Sequence, residues 1–426
     1  MKKCFGYSLG CKVNAYETEA LLSLLKREGY NETSLVKEAD LILLNTCAVT
    51  LKAAAKSRQH IRRFRKENPN AILIVMGCYS KEAKEDLLTL GADIVLGTEN
   101  RTHLLEDIHR YEKEKKPFCD VSSVRKKTPF EDLAFEIERK TTRRYLKIQD
   151  GCDKFCSYCA IPSLRGPSRS RLPESIFYEV KKLIEVGTKE IVLSGVEIGN
   201  YGLDLDDDID LGKLLNELLT LFPSLPRLRI SSMDISEITP SFLEAYKKFP
   251  NLMPHFHLSL QSGSKSVLER MRRHYSPKEY LLGLNKLREI RPETAITTDI
   301  IVGFPLESEE EWKETLDFAK EAKFAEIHVF PFSPRKGTYA ASLKEIDSSI
   351  KEKRVQELLS LSKKLRDQYE KSFYGEELEV LFESFDKKNK FAYGHTKNYL
   401  LVKTPSNVSL EGQFKNIIYN KLTKAD

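Results

Sequence analysis

The stretch "DGCDKFCSYCAIP", from Asp150 to Pro162, places three cysteines in one short loop with the spacing C-x₃-C-x₂-C: Cys152, Cys156 and Cys159. A structural zinc site normally closes with four ligands, often as two C-x₂-C pairs. Here only three ligands are local. Thiolates in short loops also hold iron–sulfur clusters, and a cubane cluster with three protein ligands leaves one iron open to another molecule. The alternative is a zinc site completed by a distant ligand such as His255 or His257.

The chain around this loop alternates short apolar strands with helical patterns. From about residue 142 to 334 the candidate strands are "RYLKIQD", "EIVLSGV", "RLRISSM", "FHLSLQ", "AITTDIIVG" and "EIHVFPFS". Six βα units in succession predict a (β/α)₆ partial barrel over residues 139–370, with its chemistry at the carboxyl ends of the strands. The cysteine loop follows the first of these strands, so it lies at that edge.

The segments on either side of the barrel predict two further domains. In residues 1–110 the strands "CFGYSL", "LILLNT", "AILIVMG" and "DIVLGT" alternate with amphipathic helices, which predicts a doubly wound α/β domain with a parallel sheet. Residues 111–138 are charged and poorly periodic, and predict a linker that contains Cys119. Residues 371–426 carry short strands without helices between them, as in a small β-barrel.

Composition narrows the functional classes. The chain has 426 residues, a net charge of +6 and eight cysteines. It shows no secretory signal and no apolar run that would span a bilayer, so we expect a cytoplasmic protein without membrane contact, whose cysteines serve metals or chemistry rather than disulfides. A phosphate loop and a nucleophile elbow are both missing. Basic clusters at 58–67, 139–145 and 270–274 are candidates for phosphate contacts or simply solvated helix faces.

A second group of cysteines is dispersed along the N-terminal domain. Cys11, Cys47 and Cys78 each come directly after one of the first three predicted strands. The carboxyl ends of parallel strands share one edge of a sheet, so the three loops should converge there. We therefore predict a second three-cysteine iron–sulfur site with one open iron. The alternative is three free and mostly buried cysteines, which are common in protein cores.

These residues carry a resemblance to a known family. The cysteine loop, with Tyr158 before its last cysteine, resembles the signature of the radical S-adenosylmethionine superfamily. Nearly the whole chain is similar to the radical S-adenosylmethionine methylthiotransferases, which have an N-terminal cluster domain, a radical domain and a C-terminal β-barrel called TRAM. The matching strings include "LGCKVNAYETE", "NTCAVT", "IQDGCDKFCSYCAIP", "RGPSRSR", "LSGVEIGNYG", "HLSLQSGSKSVLERMRR", "TDIIVGFPLESEEEW" and "FPFSPRKGTYA". The two cysteine groups fall on the ligands of the family's two [4Fe–4S] clusters.

The resemblance implies insertion of a methylthio group into a C–H bond. One S-adenosylmethionine supplies the methyl group, and a second is cleaved to a 5′-deoxyadenosyl radical that removes a hydrogen atom from the substrate. The strings "GCKVN" and "NTCAVT" are closest to the branch that modifies carbon 2 of N6-threonylcarbamoyladenosine, next to the tRNA anticodon. A reductant such as flavodoxin or ferredoxin and a sulfur donor are also implied as partners.

Three other functions stay open from the sequence. Two are further branches of the family, which act on isopentenyladenosine in tRNA or on an aspartate of a ribosomal protein. The third is a non-enzymatic, metal-bearing RNA-binding protein. The acidic string "GEELEVLFESFD" in the C-terminal segment means that charge alone does not secure an RNA contact through that barrel.

Several residues at predicted strand ends are candidates for contact with S-adenosylmethionine. Asp234, in "SSMDISEI", stands where the family pattern leads us to expect a glutamate. The shorter carboxylate is still able to bind the cofactor's amino group. The alternative for each candidate is an ordinary turn or a capping residue. The full set is Tyr158, Gly195, Glu197, Asp234, Gln261, Asp299 and Val302.

Overall fold

The computed structural model describes residues 1–122, 128–133, 141–206 and 208–425. Among these residues no helix is both long enough and apolar enough to cross a membrane. The chain forms an N-terminal α/β domain, a central partial barrel and a C-terminal antiparallel sheet, so the predicted fold class is confirmed. Short 3₁₀ turns lie at Val36–Glu38, Arg101–His103, Ile198–Asn200, Ile235–Glu237 and Tyr339–Ser342.

The N-terminal domain is built on a parallel sheet whose strand order is β2-β1-β3-β4-β5-β6. Its strands are β1 Lys3–Ser8, β2 Asn31–Glu32, β3 Leu41–Thr46, β4 Ile72–Gly77, β5 Ile94–Leu96 and β6 Phe118–Asp120. Its helices are α1 Lys12–Arg27, α2 Leu51–Glu67, α3 Cys78–Ala83, α4 Asp86–Thr89 and α5 Leu104–Glu114. Every residue of β3 is buried, as expected for a central strand covered on both faces.

The segment predicted as a linker is partly structured. The helix α5 extends to Glu114, and β6 adds a sixth strand to the sheet by pairing with β5. Cys119 therefore lies in an edge strand rather than in a linker, a difference that arises because a three-residue strand in a charged segment has no readable periodicity. The remainder of the predicted linker includes residues 123–127 and 134–140, which lie outside the described residues.

The central domain contains six parallel strands in two three-stranded sheets, β7-β10-β11 and β12-β13-β14. Parallel bridges between Leu228 and Leu252 and between Met233 and Leu258 join the two sheets into one open barrel. The strands are β7 Arg143–Lys147, β8 Gln149–Asp150, β9 Arg169–Ser170, β10 Glu190–Ser194, β11 Arg227–Ile230, β12 His255–His257, β13 Ala295–Val302 and β14 Glu326–Pro331. The helices are α6 Ile161–Arg165, α7 Pro173–Glu185, α8 Leu211–Leu221, α9 Pro240–Lys248, α10 Lys265–Arg270, α11 Pro277–Ile290, α12 Glu309–Ala322 and α13 Ser348–Lys371.

The C-terminal domain is a curled antiparallel sheet with the strand order β17-β16-β15-β18, consistent with a small barrel. Its strands are β15 Glu377–Asp386, β16 Phe391–Thr396, β17 Leu401–Pro405 and β18 Phe414–Ile418. The sheet docks against the amino ends of the central strands. Arg227 donates to the backbone carbonyls of His395 and Glu379, and Arg229 donates to those of Thr396 and Lys397.

Candidate active site

The C-x₃-C-x₂-C loop lies at the carboxyl edge of the barrel, inside a hairpin. The strands β8 and β9 pair on either side of it, and the amide of Cys152 donates to the carbonyl of Gly166 at 3.0 Å. In the middle of the loop the amide of Ser157 donates to the carbonyl of Met271, and the Ser157 carbonyl accepts from the amide of Ala340. The loop is thus held from both ends and from its centre.

Charged side chains meet at this loop from four places: the loop itself, the turns after β10 and β11, and the segment between α10 and α11. Lys154, inside the loop, places its ammonium 3.0 Å from Asp234 Oδ2 and 3.5 Å from Glu197 Oε2. Arg273 donates to Asp234 Oδ2 at 2.6 Å and to Cys156 Sγ at 3.4 Å. Burial raises the pKa of Asp234, but the charges of Arg273 and Lys154 outweigh it and leave that pKa below its ordinary value. The structure therefore brings the predicted residues Glu197 and Asp234 together beside the cysteines.

Glu197 is the carboxylate that remains available at the loop. Its Oε1 is buried and has no hydrogen-bond partner among the described residues. Burial, opposed by Lys154 and reinforced by Asp234, raises the pKa of Glu197 to about 7. An unpartnered carboxylate oxygen beside three thiols fits the amino group of S-adenosylmethionine, which needs an anionic acceptor.

Gly195 explains how Glu197 reaches this position. The side chain of Gln149 accepts hydrogen bonds from the amides of Val196 and Glu197 at 2.9 Å each. A Cβ on Gly195 would lie 2.8 Å from Gln149 Oε1, so a larger residue would displace the Gln149 side chain that accepts these two amides. The turn after β10 is fixed against the hairpin as a result.

The other predicted cofactor contacts lie in different surroundings. Tyr158 packs against a small apolar cluster that includes Phe304 and Phe332. Gln261 has a left-handed backbone with φ of 70° and exchanges two backbone hydrogen bonds with β13. The Val302 side chain is buried in the core. Asp299 points into the barrel and lies 3.2 Å from His257 Nε2.

Cys11, Cys47 and Cys78 lie in the loops at the carboxyl edge of the N-terminal sheet. Cys11 directly precedes α1, Cys47 follows β3, and Cys78 opens α3. Gly10 has a φ of 101°, and a Cβ on it would lie 2.9 Å from Cys47 Sγ, so the β1 and β3 loops touch. Burial, opposed by Arg165 and reinforced by Cys11 and Cys47, raises the pKa of Cys78 to about 11. A buried thiol of this kind loses its proton only beside a cation such as a bound metal.

A buried ionic network connects the two cysteine groups. Arg165, just beyond the cysteine loop, donates to Cys78 Sγ at 3.3 Å, to Glu17 Oε1 at 2.9 Å and to Asp150 Oδ1 at 2.9 Å. Lys147 contacts the same two carboxylates at 2.8 and 2.6 Å. Burial raises the pKa of Glu17, but the surrounding cations outweigh it and hold that pKa well below its usual value. The network therefore joins α1 of the N-terminal domain to the first strand of the barrel.

The spacing of the three sulfurs in each trio can be compared with the spacing around a single zinc ion. Two thiolates bound to one zinc lie within roughly 4.6 Å of each other, twice the ~2.3 Å Zn–S bond. Among the described residues, which include all eight cysteines, neither cysteine trio brings its three sulfurs within 4.8 Å of one another. The group that does meet this spacing is His257, Asp299 and His328, inside the barrel.

A cavity of about 350 Å³ lies inside the barrel. One wall comes from the strands β7, β10 and β11 and the other from β12, β13 and β14. Lys12, the residue after Cys11, reaches it from the N-terminal domain, and Tyr399 of the C-terminal domain lines it as well. Tyr399 is stacked between His255 and His395, with ring centroids 4.4 and 4.3 Å away. All three domains meet at this cavity.

Comparison with known proteins agrees with these features. Residues 146–319 match the model of the radical SAM superfamily, and residues 3–97 match that of the uncharacterized protein family UPF0004. The threonylcarbamoyladenosine tRNA methylthiotransferase MtaB of Bacillus subtilis is 42% identical over 93% of this chain and 89% of its own length. The chain belongs to the radical S-adenosylmethionine methylthiotransferase family. The resemblance seen in the motifs is confirmed.

Methylthiotransferases of two kinds are among the relatives. A tRNA-2-methylthio-N(6)-dimethylallyladenosine synthase of Bacillus subtilis is 35% identical over 94% of this chain and 80% of its own length. A solved structure of the radical S-adenosylmethionine methyltransferase TsrM from Kitasatospora setae, 14% identical, superposes with a TM-score of 0.59 over 80% of this chain and 74% of that one. The latter similarity concerns the fold alone. Membership of the radical SAM superfamily implies one [4Fe–4S] cluster and S-adenosylmethionine.

The structure also reveals site residues that the sequence did not single out. Arg165 lies within "RGPSRSR", a string that was matched to the family without any role for its arginines. Arg273 lies in the basic cluster 270–274, a candidate for phosphate contacts or for a solvated helix face. Arg273 donates instead to Asp234 and Cys156, and Arg270 forms an ion pair with Glu311. The sequence did not indicate these contacts because the partners are distant along the chain.

Proposed function

We propose that this methylthiotransferase acts on tRNA and inserts a methylthio group at carbon 2 of N6-threonylcarbamoyladenosine, next to the anticodon. The observation that carries the proposal is the pair of three-cysteine sites connected through Arg165, at an interface between two domains. The identity to the Bacillus subtilis protein, higher than to the dimethylallyladenosine synthases, supports this substrate over the dimethylallyl one.

The residues of the chain provide the setting for two clusters and the cofactor. Cys152, Cys156 and Cys159 would hold the radical cluster, and Glu197 would accept the amino group of S-adenosylmethionine through its unpartnered oxygen. When bound, the cluster and S-adenosylmethionine supply the radical chemistry that removes hydrogen from an unactivated carbon. Lys154 and Arg273 place positive charge beside the thiolates and keep Asp234 ionised.

The second group would hold an auxiliary cluster that presents the sulfur. Cys11, Cys47 and Cys78 leave a fourth ligand position to an outside atom, as the radical site does. Arg165 donates to Cys78 Sγ, which suits a sulfur that carries negative charge. A second S-adenosylmethionine would then supply the methyl group, and a reductant and a sulfur donor complete the set of partners.

A cationic helix face supports tRNA as the substrate. The helix α2 begins just after the Cys47 loop and exposes several basic side chains: Lys52, Lys56, Arg62, Arg63 and Lys66. Exposed cations of this kind bind RNA phosphates through counterion release. The helix that carries this face begins at Leu51, shortly after Cys47, and its cations would neutralise the backbone of a bound anticodon loop.

The proposal predicts a division of labour between the two cysteine groups. Wild-type enzyme reconstituted without oxygen should bind about eight irons per chain, and Cys156→Ala and Cys47→Ala about four each. Cys156→Ala should lose both S-adenosylmethionine cleavage and product, whereas Cys47→Ala should keep cleavage to 5′-deoxyadenosine and lose methylthio insertion. Cys119→Ser, at the sheet edge, is the matched control and should keep both activities. Iron assay and mass spectrometry of the products measure these outcomes.

Two results would contradict this assignment. Metal close to one zinc per chain would favour the metal-bearing RNA-binding protein, and equal loss of cleavage in both cysteine variants would show that the two sites are wrongly divided. The substrate is tested separately by mass spectrometry of tRNA nucleosides from a strain without this gene and from its parent. Loss of the 2-methylthio form of threonylcarbamoyladenosine supports the proposal. Loss of the 2-methylthio form of isopentenyladenosine instead would show that isopentenyladenosine is the substrate. An unchanged profile redirects the search to the ribosomal protein.

A further inference from the structure

The cavity inside the barrel is positioned to receive the group that is modified. Val192 and Ser232, which line it, lie a few residues before Glu197 and Asp234, which flank the radical cysteine loop. Lys12, which also lines it, directly follows Cys11. The cavity therefore extends to the residue next to Cys11 and to the strands that lead into the radical cysteine loop.

One wall of the cavity is cationic. Arg143, Arg229 and Lys12 line it from the side of β7, β11 and α1. Arg229 forms an ion pair with Glu190 at 2.9 Å and donates hydrogen bonds to two backbone carbonyls of the C-terminal domain. Arg143 is paired with Glu190 and Glu383. Lys12 is different, because among the described residues it has no hydrogen-bond or ion-pair partner and is exposed to solvent.

The opposite wall is made of imidazoles and carboxylates. Asp299, His257 and His328 place their ligand atoms within 4.8 Å of one another, and Glu326 lines the same wall. His257 Nδ1 is held by the Thr297 hydroxyl at 3.0 Å, which fixes the ring. This wall accepts N–H and O–H groups, whereas the cationic wall attracts an anion.

The chemistry of the cavity separates the two known classes of tRNA substrate. A threonylcarbamoyl group carries a carboxylate, a hydroxyl and a ureido group, whereas a dimethylallyl group is purely hydrocarbon. Val192 and Ile230 are the only aliphatic side chains among the described residues that line the cavity. A hydrocarbon placed here would displace water from these polar groups without offering them a hydrogen bond, which disfavours the dimethylallyl group.

We propose that this cavity binds the threonylcarbamoyl group, with its carboxylate against Lys12 and its hydrogen-bond donors toward Asp299, and that Lys12 is the residue that selects the charged substrate. This proposal rests on the proposed function and adds that the cavity recognises the threonylcarbamoyl group of the substrate. Lys12 is suited to the role because, unlike Arg143 and Arg229, its ammonium forms no ion pair or hydrogen bond with a described residue. Partial burial and the neighbouring charges of Arg143 and Arg229 lower the pKa of Lys12, and a bound carboxylate would offset those charges.

The test pairs a protein change with a matching substrate change. The reconstituted enzyme is assayed for 2-methylthio product with RNA anticodon stem-loops that carry threonylcarbamoyladenosine, its neutral threonine amide, or isopentenyladenosine. Lys12→Met should raise KM for the acid substrate roughly 10- to 100-fold, as expected for loss of a hydrogen bond to a charged group, and leave KM for the amide unchanged. Lys12→Arg should recover part of the loss. Lys26→Met, in the last turn of the same helix, should match wild type.

Two further readouts keep a structural defect apart from a loss of recognition. Iron content and S-adenosylmethionine cleavage without RNA should be the same in Lys12→Met as in wild type. Independently of any variant, the wild-type enzyme should favour the acid over the amide at least tenfold. An equal loss for acid and amide in Lys12→Met, or no preference in wild type, would overturn the inference while the proposed function stands. A wild-type enzyme that acts on the isopentenyl substrate alone would overturn the proposed function itself.

Discussion

Replacing Arg165 with methionine tests the network that joins the N-terminal domain to the barrel. The guanidinium donates to Glu17 and Asp150 at 2.9 Å each and to Asn14 Oδ1 at 2.8 Å. Methionine fills a similar volume with none of these donors, so both carboxylates stay buried with fewer partners. Loss of one partner of a buried ion pair costs about 3–5 kcal/mol.

We expect a loss of stability at the lower end of this range, because Glu17 and Asp150 keep other cationic partners. Glu17 keeps Arg101 at 2.5 Å and Lys147 at 2.8 Å, and Asp150 keeps Lys147 at 2.6 Å. We therefore expect the free energy of local opening to fall by about 3 kcal/mol rather than the protein to unfold. At 1.36 kcal/mol per factor of ten, this is a roughly 150-fold loss of amide protection.

Hydrogen exchange followed by mass spectrometry measures this loss in peptides from α1 and β7 of the reconstituted enzyme. Arg165→Lys keeps the charge but reaches fewer acceptors, so an intermediate loss is expected. Lys182→Met removes an exposed ion pair with Glu185 on α7 and serves as the control, with no change expected. If α1 in Arg165→Met exchanges as slowly as in wild type, the network does not hold the two domains together.

Two further changes act on one cysteine group each. Burial raises the pKa of Glu197 to about 7, so Glu197 is ionised above pH 7 and the KM for S-adenosylmethionine should rise as the pH falls below 7. In Glu197→Gln the KM should be high and independent of pH. If the variant keeps the wild-type pH profile, Glu197 does not bind the amino group of S-adenosylmethionine. Gly10→Ala should displace Cys47, lowering iron from about eight to about four per chain while S-adenosylmethionine cleavage persists. Gly29→Ala has a similarly positive φ but no atom within 4 Å of its Cβ, and should keep all its iron.

The sequence was sufficient to place the cysteines because their positions follow from local patterns. The string "LILLNT" is the strand Leu41–Thr46, and the loops after β1, β3 and β4 converge because the strands are parallel. The hairpin of β8 and β9 was not predicted, because two-residue strands have no periodicity. The short edge strand β6 was assigned to a linker for the same reason.

The buried charged residues could not be predicted from the sequence, for a different reason. An arginine in a basic string is most often exposed, and the docking of α1 on the barrel is what buries Arg165 and Glu17. Similarly, Asp299 was predicted to contact S-adenosylmethionine from its place near a strand end. Its pairing with His257 and His328 depends on the curvature that brings β12, β13 and β14 to one wall.

The start of α1 relates the sulfur site to substrate selection. Cys11, the proposed cluster ligand, and Lys12, the proposed carboxylate ligand, are adjacent, and Asn14 and Glu17 in the next turn are bound by Arg165. A displacement of this helix would therefore move the sulfur-bearing site and the substrate anchor together. Their spacing is kept by the covalent chain, and Arg165 fixes both against the loop that holds the radical cysteines. Such rigid mutual placement is what a reaction between two bound groups requires, since small errors in position cost large factors in rate.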